Sequence, residues 1–167
     1  MMVGDRASDD GAIDHAVELA ELLGLPVYQS RGAEVSFPTA HGQFLGNLSL
    51  RVADHRAILQ RVDLVLAVGM DTFEELFYWG DVILQPDTKL IHIDPIPGRV
   101  GKTEPTDVGI VSHCGLALEA LVAEIKPLLS PADIQGIRQR SQAISEESKQ
   151  SRDSFAKSVA EKWDSRP

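Results

Sequence analysis

Cysteine, aromatic residues and clustered basic residues are scarce in this chain of 167 residues. The single cysteine, Cys114, excludes an internal disulfide, and with no signal-like apolar segment at the start this predicts a reducing, cytoplasmic compartment. No apolar run is long enough to span a membrane. The formal net charge of -9, without a Lys/Arg run, argues against nucleic acid or an anionic membrane as partner, because binding either requires a basic face.

The remaining composition is that of an ordinary folded domain, with 43% hydrophobic and 25% charged residues. Apolar runs typical of strands alternate with helical patterns, which predicts an α/β fold with a doubly wound parallel sheet of about six strands and helices on both faces. Strands are expected at residues 1–4, 26–30, 63–69, 89–94 and 108–112. Helices are expected from Ser8 to Gly24 and at residues 53–60, 71–79 and 115–128. Residues 31–49 are expected to form a long irregular connection.

A change in composition near residue 130 predicts the domain organisation. Residues 1–129 are expected to form the globular domain, and residues 130–167 a polar helical linker or arm. This helix is expected to start with Ser130 as its cap, Pro131 as its first helical residue and Asp133 as an acid in its first turn. Apolar residues beyond Ile134 are too widely spaced to predict a core-facing stripe. A first strand that begins at Met1 suggests a segment of a longer chain.

In doubly wound sheets ligands bind at the carboxyl ends of the strands, near the reversal of strand order. Residues 4–6, 30–32, 69–72 and 94–97 are expected there. Gly4, Asp5 and Arg6 follow the first strand and precede a helix, so their amides could approach a phosphate, with Arg6 adding a positive charge. Gly69, at the end of another strand, is a further candidate for this nucleotide site. A plain strand-to-helix turn is the favoured alternative, since no Gly-x-Gly-x-x-Gly fingerprint is present.

Two polar residues share one face of the strand at residues 89–94. Asp94 could accept both hydroxyls of an adenosine ribose, or it could cap the turn made by Pro95 and Pro97, and the pattern favours neither. His92 beside it invites a metal site, but no third ligand lies nearby. A structural histidine is therefore favoured.

Two further side chains are candidates for chemistry. Cys114, next to His113, could be activated at the start of the last helix, although a small buried hydrophobe is favoured. His41 in the long connection could contact a ligand, or make turn hydrogen bonds beside Gly42.

Four aromatic residues are concentrated in one segment of a chain that is only 5% aromatic. This pattern favours a subunit or domain interface over local packing against the sheet edge. The four are Phe73, Phe77, Tyr78 and Trp79.

Several segments resemble, in the same order, the central domain of thiamine-diphosphate-dependent enzymes of the benzoylformate decarboxylase and acetolactate synthase group. The most specific is Phe-Pro-Thr-Ala-His-Gly-Gln-Phe-Leu-Gly at residues 37–46. The others are Gly4 with its helix, Leu-Pro-Val at 25–27, the runs at 62–69 and 90–95, Val-Gly at 100–101, the run at 105–111, and the helix with Leu116 and Leu121. Together they cover about residues 1–125.

The resemblance implies a parent enzyme with three domains, in which thiamine diphosphate and magnesium lie between the outer two at a subunit interface. It implies that the pyrimidine-binding domain with its activating glutamate, and the diphosphate-binding domain with Gly-Asp-Gly and a distant Asn, are the missing partners. Here Gly-Asp occurs only at Gly4-Asp5 and Gly80-Asp81, neither followed by Gly, and the only asparagine is Asn47. A homo-oligomer, a tetramer in the parent, is also implied.

Two departures from the flavin-binding relatives disfavour FAD or ADP as a ligand. Those relatives carry an arginine shortly after the glycine that matches Gly69, where this chain has Met-Asp-Thr-Phe at residues 70–73. They tend to have Gly-Asp where this chain has His113-Cys114. An acidic group at Asp71 is expected to repel a pyrophosphate.

Two hypotheses therefore remain open. The favoured one is a non-catalytic central domain that scaffolds a 2-oxo-acid decarboxylase or carboligase. The alternative is a free-standing module that binds FAD, ADP or NAD on the same fold. A small hydrolase using His41 or Cys114 is remote, since no triad spacing is present.

Overall fold

The structure, a computed structural model, describes residues 1–30, 36–49, 52–71 and 83–164. The strands in these ranges are β1 (Met2–Val3), β2 (Val27–Gln29), β3 (Phe44–Asn47), β4 (Leu64–Val68), β5 (Lys89–Asp94) and β6 (Val108–Val111). The helices are α1 (Asp5–Asp9), α2 (Ile13–Leu23), α3 (Val52–Leu59), α4 (Cys114–Ile125) and α5 (Pro131–Asp164), with a 3₁₀ turn at Lys126–Leu128.

All six strands are parallel and form one sheet in the order β3-β2-β1-β4-β5-β6. The predicted α/β fold, with a parallel sheet of about six strands, is confirmed. Strand order reverses between β1 and β4, so a switch point lies at their carboxyl ends.

The central strand β4 supplies side chains to two cores. Val65 and Ala67 join a cluster on one face of the sheet, and Leu66 and Val68 join a cluster on the other. This alternation follows from the two-residue period of a strand, and burial on both faces explains the nearly unbroken apolar run in the sequence. Helices α2 and α4 pack on the Leu66 side, and α3 packs on the Ala67 side.

The predicted start of the first helix at Ser8 is wrong. Ser8 lies inside α1, which begins directly after the extended residue Gly4, and the chain then breaks at Gly11, whose φ is 61°. The Asp10 carboxylate does not serve a first turn but accepts the backbone N–H of Cys114 at 2.7 Å. A contact between distant segments thus uses an acid that, from its place just after Ser8, would be expected in the first turn of the helix.

The predicted irregular connection over residues 31–49 is wrong for residues 44–47, which form β3. Among the described strands β3 pairs with β2 alone, and its register shifts between Val27 and Tyr28. Gly46 has a φ of 119°. A bulge and a left-handed glycine break the alternation by which a strand is recognised, so the local pattern conceals β3.

The predicted start of the last helix is confirmed. Asp133 Oδ2 accepts the N–H and the hydroxyl of Ser130 at 2.9 and 2.6 Å, and Ser130 Oγ accepts the Asp133 N–H at 3.2 Å. The hydrogen bond from the Ser130 hydroxyl lowers the pKa of the Asp133 carboxyl. Side chain and backbone cap each other, as in a capping box.

The first half of α5 packs on the domain, contrary to the expectation that it lacks a core-facing stripe. Ile137 and Ile144, two helical turns apart, are both buried. Ser148 is also buried and donates to the Phe44 carbonyl of β3 at 2.6 Å. Residues seven positions apart lie on the same face of a helix, so Ile137 and Ile144 can both face the domain although they look isolated in the sequence. The boundary at residue 130 stays a prediction.

The carboxyl end of α2 is held by α5. Gly24, with a φ of 61°, ends α2 as predicted. Arg140 of α5 donates from Nε to the Gly24 carbonyl at 2.9 Å and from Nη2 to the Leu23 carbonyl. A positive charge is favourable there because the last carbonyls of a helix lack partners within the helix and lie at its negative end.

The helix predicted at residues 71–79 lies outside the described residues apart from Asp71, and the four aromatic residues lie wholly outside them. In the described part of the chain, no helix has both the length and the apolar character needed to cross a membrane.

Candidate functional site

The switch point is built on two glycines in close contact. A Cβ on Gly4 would lie 2.5 Å from the Met70 Cβ and 2.7 Å from the Gly69 carbonyl oxygen. A Cβ on Gly69, whose φ is 59°, would collide with the first turn of α1 at Arg6 and Ala7. Only glycine permits this approach, so both residues position α1 against the end of β4.

The backbone amides at the start of α1 are already used. Arg6 donates its N–H to the Gly69 carbonyl at 3.1 Å, and Ala7 donates to the Gly4 carbonyl at 3.1 Å. Asp5, the remaining predicted residue of this turn, is exposed. The turn therefore offers a phosphate fewer free amides than the sequence pattern suggests.

Arg6 is bound by two carboxylates. Its Nε lies 3.1 and 2.8 Å from the two oxygens of Asp94, and its Nη2 lies 2.7 Å from Asp94 Oδ2 and 3.2 Å from Asp71 Oδ1. Asp71 also accepts from Arg99 Nη1 at 2.9 Å. The four charges alternate in sign and cancel formally, so the network attracts no net charge of either sign.

Asp94 has the turn role that the sequence allowed, and it forms an ion pair with Arg6 that the sequence did not predict. Its side chain is fully buried, and Oδ1 accepts the Ile96 N–H at 2.9 Å across the turn after β5. With Arg6 on both oxygens, the carboxylate has little acceptor capacity left for ribose hydroxyls.

His92 is a satisfied buried histidine, as favoured from the sequence. Its Nε2 lies 3.0 Å from the Met70 carbonyl, and its Nδ1 accepts the Gly101 N–H at 3.4 Å. The neighbouring carbonyl assigns the proton to Nε2. Burial lowers the pKa of His92. Within the described ranges no three His, Cys, Asp or Glu side chains are arranged to hold a metal ion.

The favoured interpretation of Cys114 as a buried hydrophobe agrees with the structure. The residue is fully buried, and this burial, with a hydrogen bond to Asp10, raises the pKa of its thiol to about 12. A thiol with that pKa is a poor nucleophile at neutral pH.

His41 lies beside the edge strand β3, where it makes contacts with its own turn and with two side chains. Its Nδ1 accepts the Gln43 N–H at 3.2 Å, its Nε2 lies 3.2 Å from Glu21 Oε1, and its ring meets the Phe37 ring edge-on at 5.3 Å. These contacts fold the Phe-Pro-Thr-Ala-His segment onto α2 and leave His41 away from the switch point.

The structure brings together Gly4, Arg6, Gly69 and Asp94 and leaves His41 beside β3. Cys114, at the start of α4, lies near enough for Asp94 and Arg6 to influence its pKa, but its hydrogen bond is to Asp10. Sequence reasoning missed Arg99, which lies 28 positions from its partner Asp71. No local signal marks it, because a surface arginine in a turn is common and only the fold places it opposite an aspartate.

Comparison with known proteins identifies the family. The family model described as thiamine pyrophosphate enzyme, central domain, matches residues 1–121. An acetolactate synthase of Mycobacterium leprae is 32% identical over 136 residues, which are 81% of this chain and 22% of that protein. A sulfoacetaldehyde acetyltransferase of Roseovarius nubinhibens is 31% identical over 126 residues, 74% of this chain and 21% of that protein.

A solved structure agrees with the sequence matches. The thiamine diphosphate-dependent 4-hydroxybenzoylformate decarboxylase of Rhodococcus jostii RHA1 superposes with a TM-score of 0.66 at 32% identity, covering 73% of this chain and 23% of that one. The chain thus spans about a fifth of the length of the relatives it matches. This chain, with its parallel sheet and switch point, belongs to the family of thiamine pyrophosphate enzyme central domains.

Proposed function

We propose that this chain is the non-catalytic central domain of a thiamine-diphosphate- and magnesium-dependent 2-oxo-acid decarboxylase or carboligase. Its role is to hold the pyrimidine-binding and diphosphate-binding domains of the same polypeptide in position and to support a cytoplasmic homo-oligomer, a tetramer. The observation that carries the proposal is the occupied switch point: the edge where this fold class binds ligands is filled by Arg6, Asp94, Asp71 and Arg99.

Because ion pairs fill the carboxyl edge of the sheet, a structural role for this domain is favoured over ligand binding. An anion could reach the Arg6 guanidinium only by displacing Asp94 or Asp71, and displacing Asp94 would leave a fully buried carboxylate without its cation. We therefore interpret Gly4, Asp5, Arg6, Gly69 and Asp94 as a vestigial nucleotide site. FAD or ADP stays a disfavoured ligand for this chain.

The much greater length of the relatives supports an enzyme in which this domain and others have separate roles. Since the chain corresponds to 22% of the acetolactate synthase and 23% of the decarboxylase, most of each relative lies outside the matched region. The groups that hold thiamine diphosphate and magnesium are assigned to those other regions.

The test compares this chain with a longer polypeptide. The coding sequence on both sides is read for an upstream activating glutamate and a downstream Gly-Asp-Gly followed by Asn. The extended protein and the 167-residue chain are then assayed with pyruvate and benzoylformate, with and without thiamine diphosphate and Mg²⁺. We expect cofactor-dependent turnover in the extended protein alone. Turnover by the short chain, or an extended protein that ignores the cofactor, would contradict the proposal.

The alternative, a free-standing nucleotide-binding module, has its own measurement. FAD, ADP and NAD are added separately and the melting temperature is recorded. A ligand that binds only the native state stabilises it by about 2.7 kcal/mol at a hundred times its Kd. We expect no shift with any of the three, and a saturable shift would favour the alternative.

A further inference from the structure

A cavity of about 590 Å³ lies at the amino edge of the sheet, opposite the edge that carries Arg6 and Asp94. Residues just before or at the start of three strands line it, namely Met1, Pro26 and Leu64. It is far larger than the voids of a packed interior, which rarely exceed a water molecule. Its volume falls within the roughly 300–1,000 Å³ typical of small-molecule sites.

The inner wall of the cavity is apolar. It is formed by side chains from α2, β4, β5 and α4, among them Leu19, Leu23, Leu66, Ile91, Leu121 and Ile125. Helix α5 closes one side with Ala143 and the buried Ile144. An apolar wall of this kind suits the apolar part of a small molecule.

An ion pair spans the mouth. Arg61, at the end of the turn after α3, donates from Nη1 and Nη2 to the two oxygens of Glu147 on α5 at 2.9 and 2.8 Å. Both side chains line the cavity and both are partly exposed, at 63% and 42%. The pair therefore marks the boundary between apolar wall and solvent, where a polar ligand group would lie.

The charges that line the cavity cancel. Arg61 and Arg140 are balanced by Asp63 and Glu147. Neither an anion nor a cation is favoured by this balance.

From this geometry we infer that the cavity is a binding site for an uncharged amphiphile. Its apolar body fills the space between the sheet and α5. Its hydroxyl or carbonyl head lies at the Arg61–Glu147 pair. The inference does not depend on the proposed parent enzyme.

The test uses the 167-residue chain and three probes that differ only in the head group: 1-octanol, octanoate and octylammonium. Saturation-transfer NMR measures their binding. Ala143→Phe places a ring in the mouth from an exposed position, and Ala156→Phe makes the same change at an exposed position of α5 outside the cavity lining. Leu64→Phe, from a half-exposed position of the lining, is a second blocking variant in case the first fails to fold.

We expect octanol to bind the unchanged chain and Ala156→Phe with equal affinity. Its affinity for the blocking variants should be lower by about tenfold or more, and tenfold corresponds to a loss of about 1.4 kcal/mol. Binding that persists in both blocking variants would mean adsorption to the surface and would overturn the site. No binding to the unchanged chain would overturn it as well. Equal binding of all three probes would overturn the assignment of an uncharged ligand.

Discussion

Arg6 Nε lies 2.8 and 3.1 Å from the two carboxylate oxygens of Asp94, across 88 positions of the chain. This pair ties α1 to the end of β5 over the intervening strand β4. Asp94 is fully buried, whereas 20% of the Arg6 side chain is exposed. The aspartate therefore depends on the arginine more than the arginine depends on it.

Replacing Arg6 by Met should destabilise the chain strongly. The change leaves the buried Asp94 carboxylate without its cation, which costs about 3 kcal/mol or more. The free energy of unfolding, from urea denaturation followed by circular dichroism, measures the loss.

Arg61→Met is the matched control for this prediction. Its pair with Glu147 is bidentate too but lies at the surface, and exposed pairs contribute about 1 kcal/mol or less. Equal losses for Arg6→Met and Arg61→Met would show that burial of Asp94 does not decide the outcome.

Gly69→Ala should cost about 2–4 kcal/mol, since it adds a clash with α1 to the strain of a left-handed residue. Gly11→Ala separates the two effects. Gly11 has a φ of 61°, close to the 59° of Gly69, but a Cβ there meets nothing within 4 Å. Strain alone, about 1 kcal/mol, is expected for Gly11→Ala. Thermal or urea unfolding of both variants tests this, and similar losses would contradict the close contact of Gly69 with α1.

The buried thiol of Cys114 should make stability depend on alkaline pH. Desolvation raises its pKa from 9.0 to about 12 in the folded chain, so between these values the unfolded state loses the proton that the folded state keeps. Stability from this group is therefore full below pH 9 and falls as pH rises, by up to about 1.4 kcal/mol per pH unit.

Urea unfolding between pH 8 and pH 11 measures this dependence, with Cys114→Ala as the reference that lacks the thiol. The difference between the two proteins isolates Cys114 from the lysines and tyrosines that titrate in the same range. Parallel pH profiles would mean that the thiol is not desolvated. Thiol labelling of the native chain near pH 8 should be slow for the same reason and should become fast in denaturant.

Ile144→Ala on α5 should cost about 2–4 kcal/mol, because a buried isoleucine is lost between the helix and the domain. Val159→Ala, on the same helix where the side chain is 45% exposed, should change stability by about 0.5 kcal/mol or less. Hydrogen exchange should show faster exchange in the first half of α5 for the first variant only. If neither variant destabilises the chain, the first half of α5 does not pack as described.

Strands β4 and β5, helix α3 and the cap of α5 follow from local patterns. An apolar run of strand length, a helical period and a Ser-x-x-Asp cap each act within a few residues, so a single sequence is enough to predict them. The order of several such segments, with that at residues 37–46 the most specific, was enough to indicate the family as well.

Other features depend on distant contacts that no local pattern encodes. Strand β3 carries a bulge and exists because β2 offers it an edge. The break after α1 coincides with the contact between Asp10 and Cys114. Ile137 and Ile144 look isolated in the sequence, yet both meet the domain because α5 runs along it.

By itself the sequence determined the layered α/β fold, the positions of most elements and the glycines at the switch point, since these depend on period, length and local conformational freedom. Tertiary structure alone decided that Arg6 would be bound by Asp94 and Asp71 rather than left for a phosphate. It also decided that an apolar cavity would lie at the opposite edge of the sheet. The physical reason is that Coulomb attraction and burial act on distance in space, and residues 88 positions apart become neighbours only when the sheet has formed.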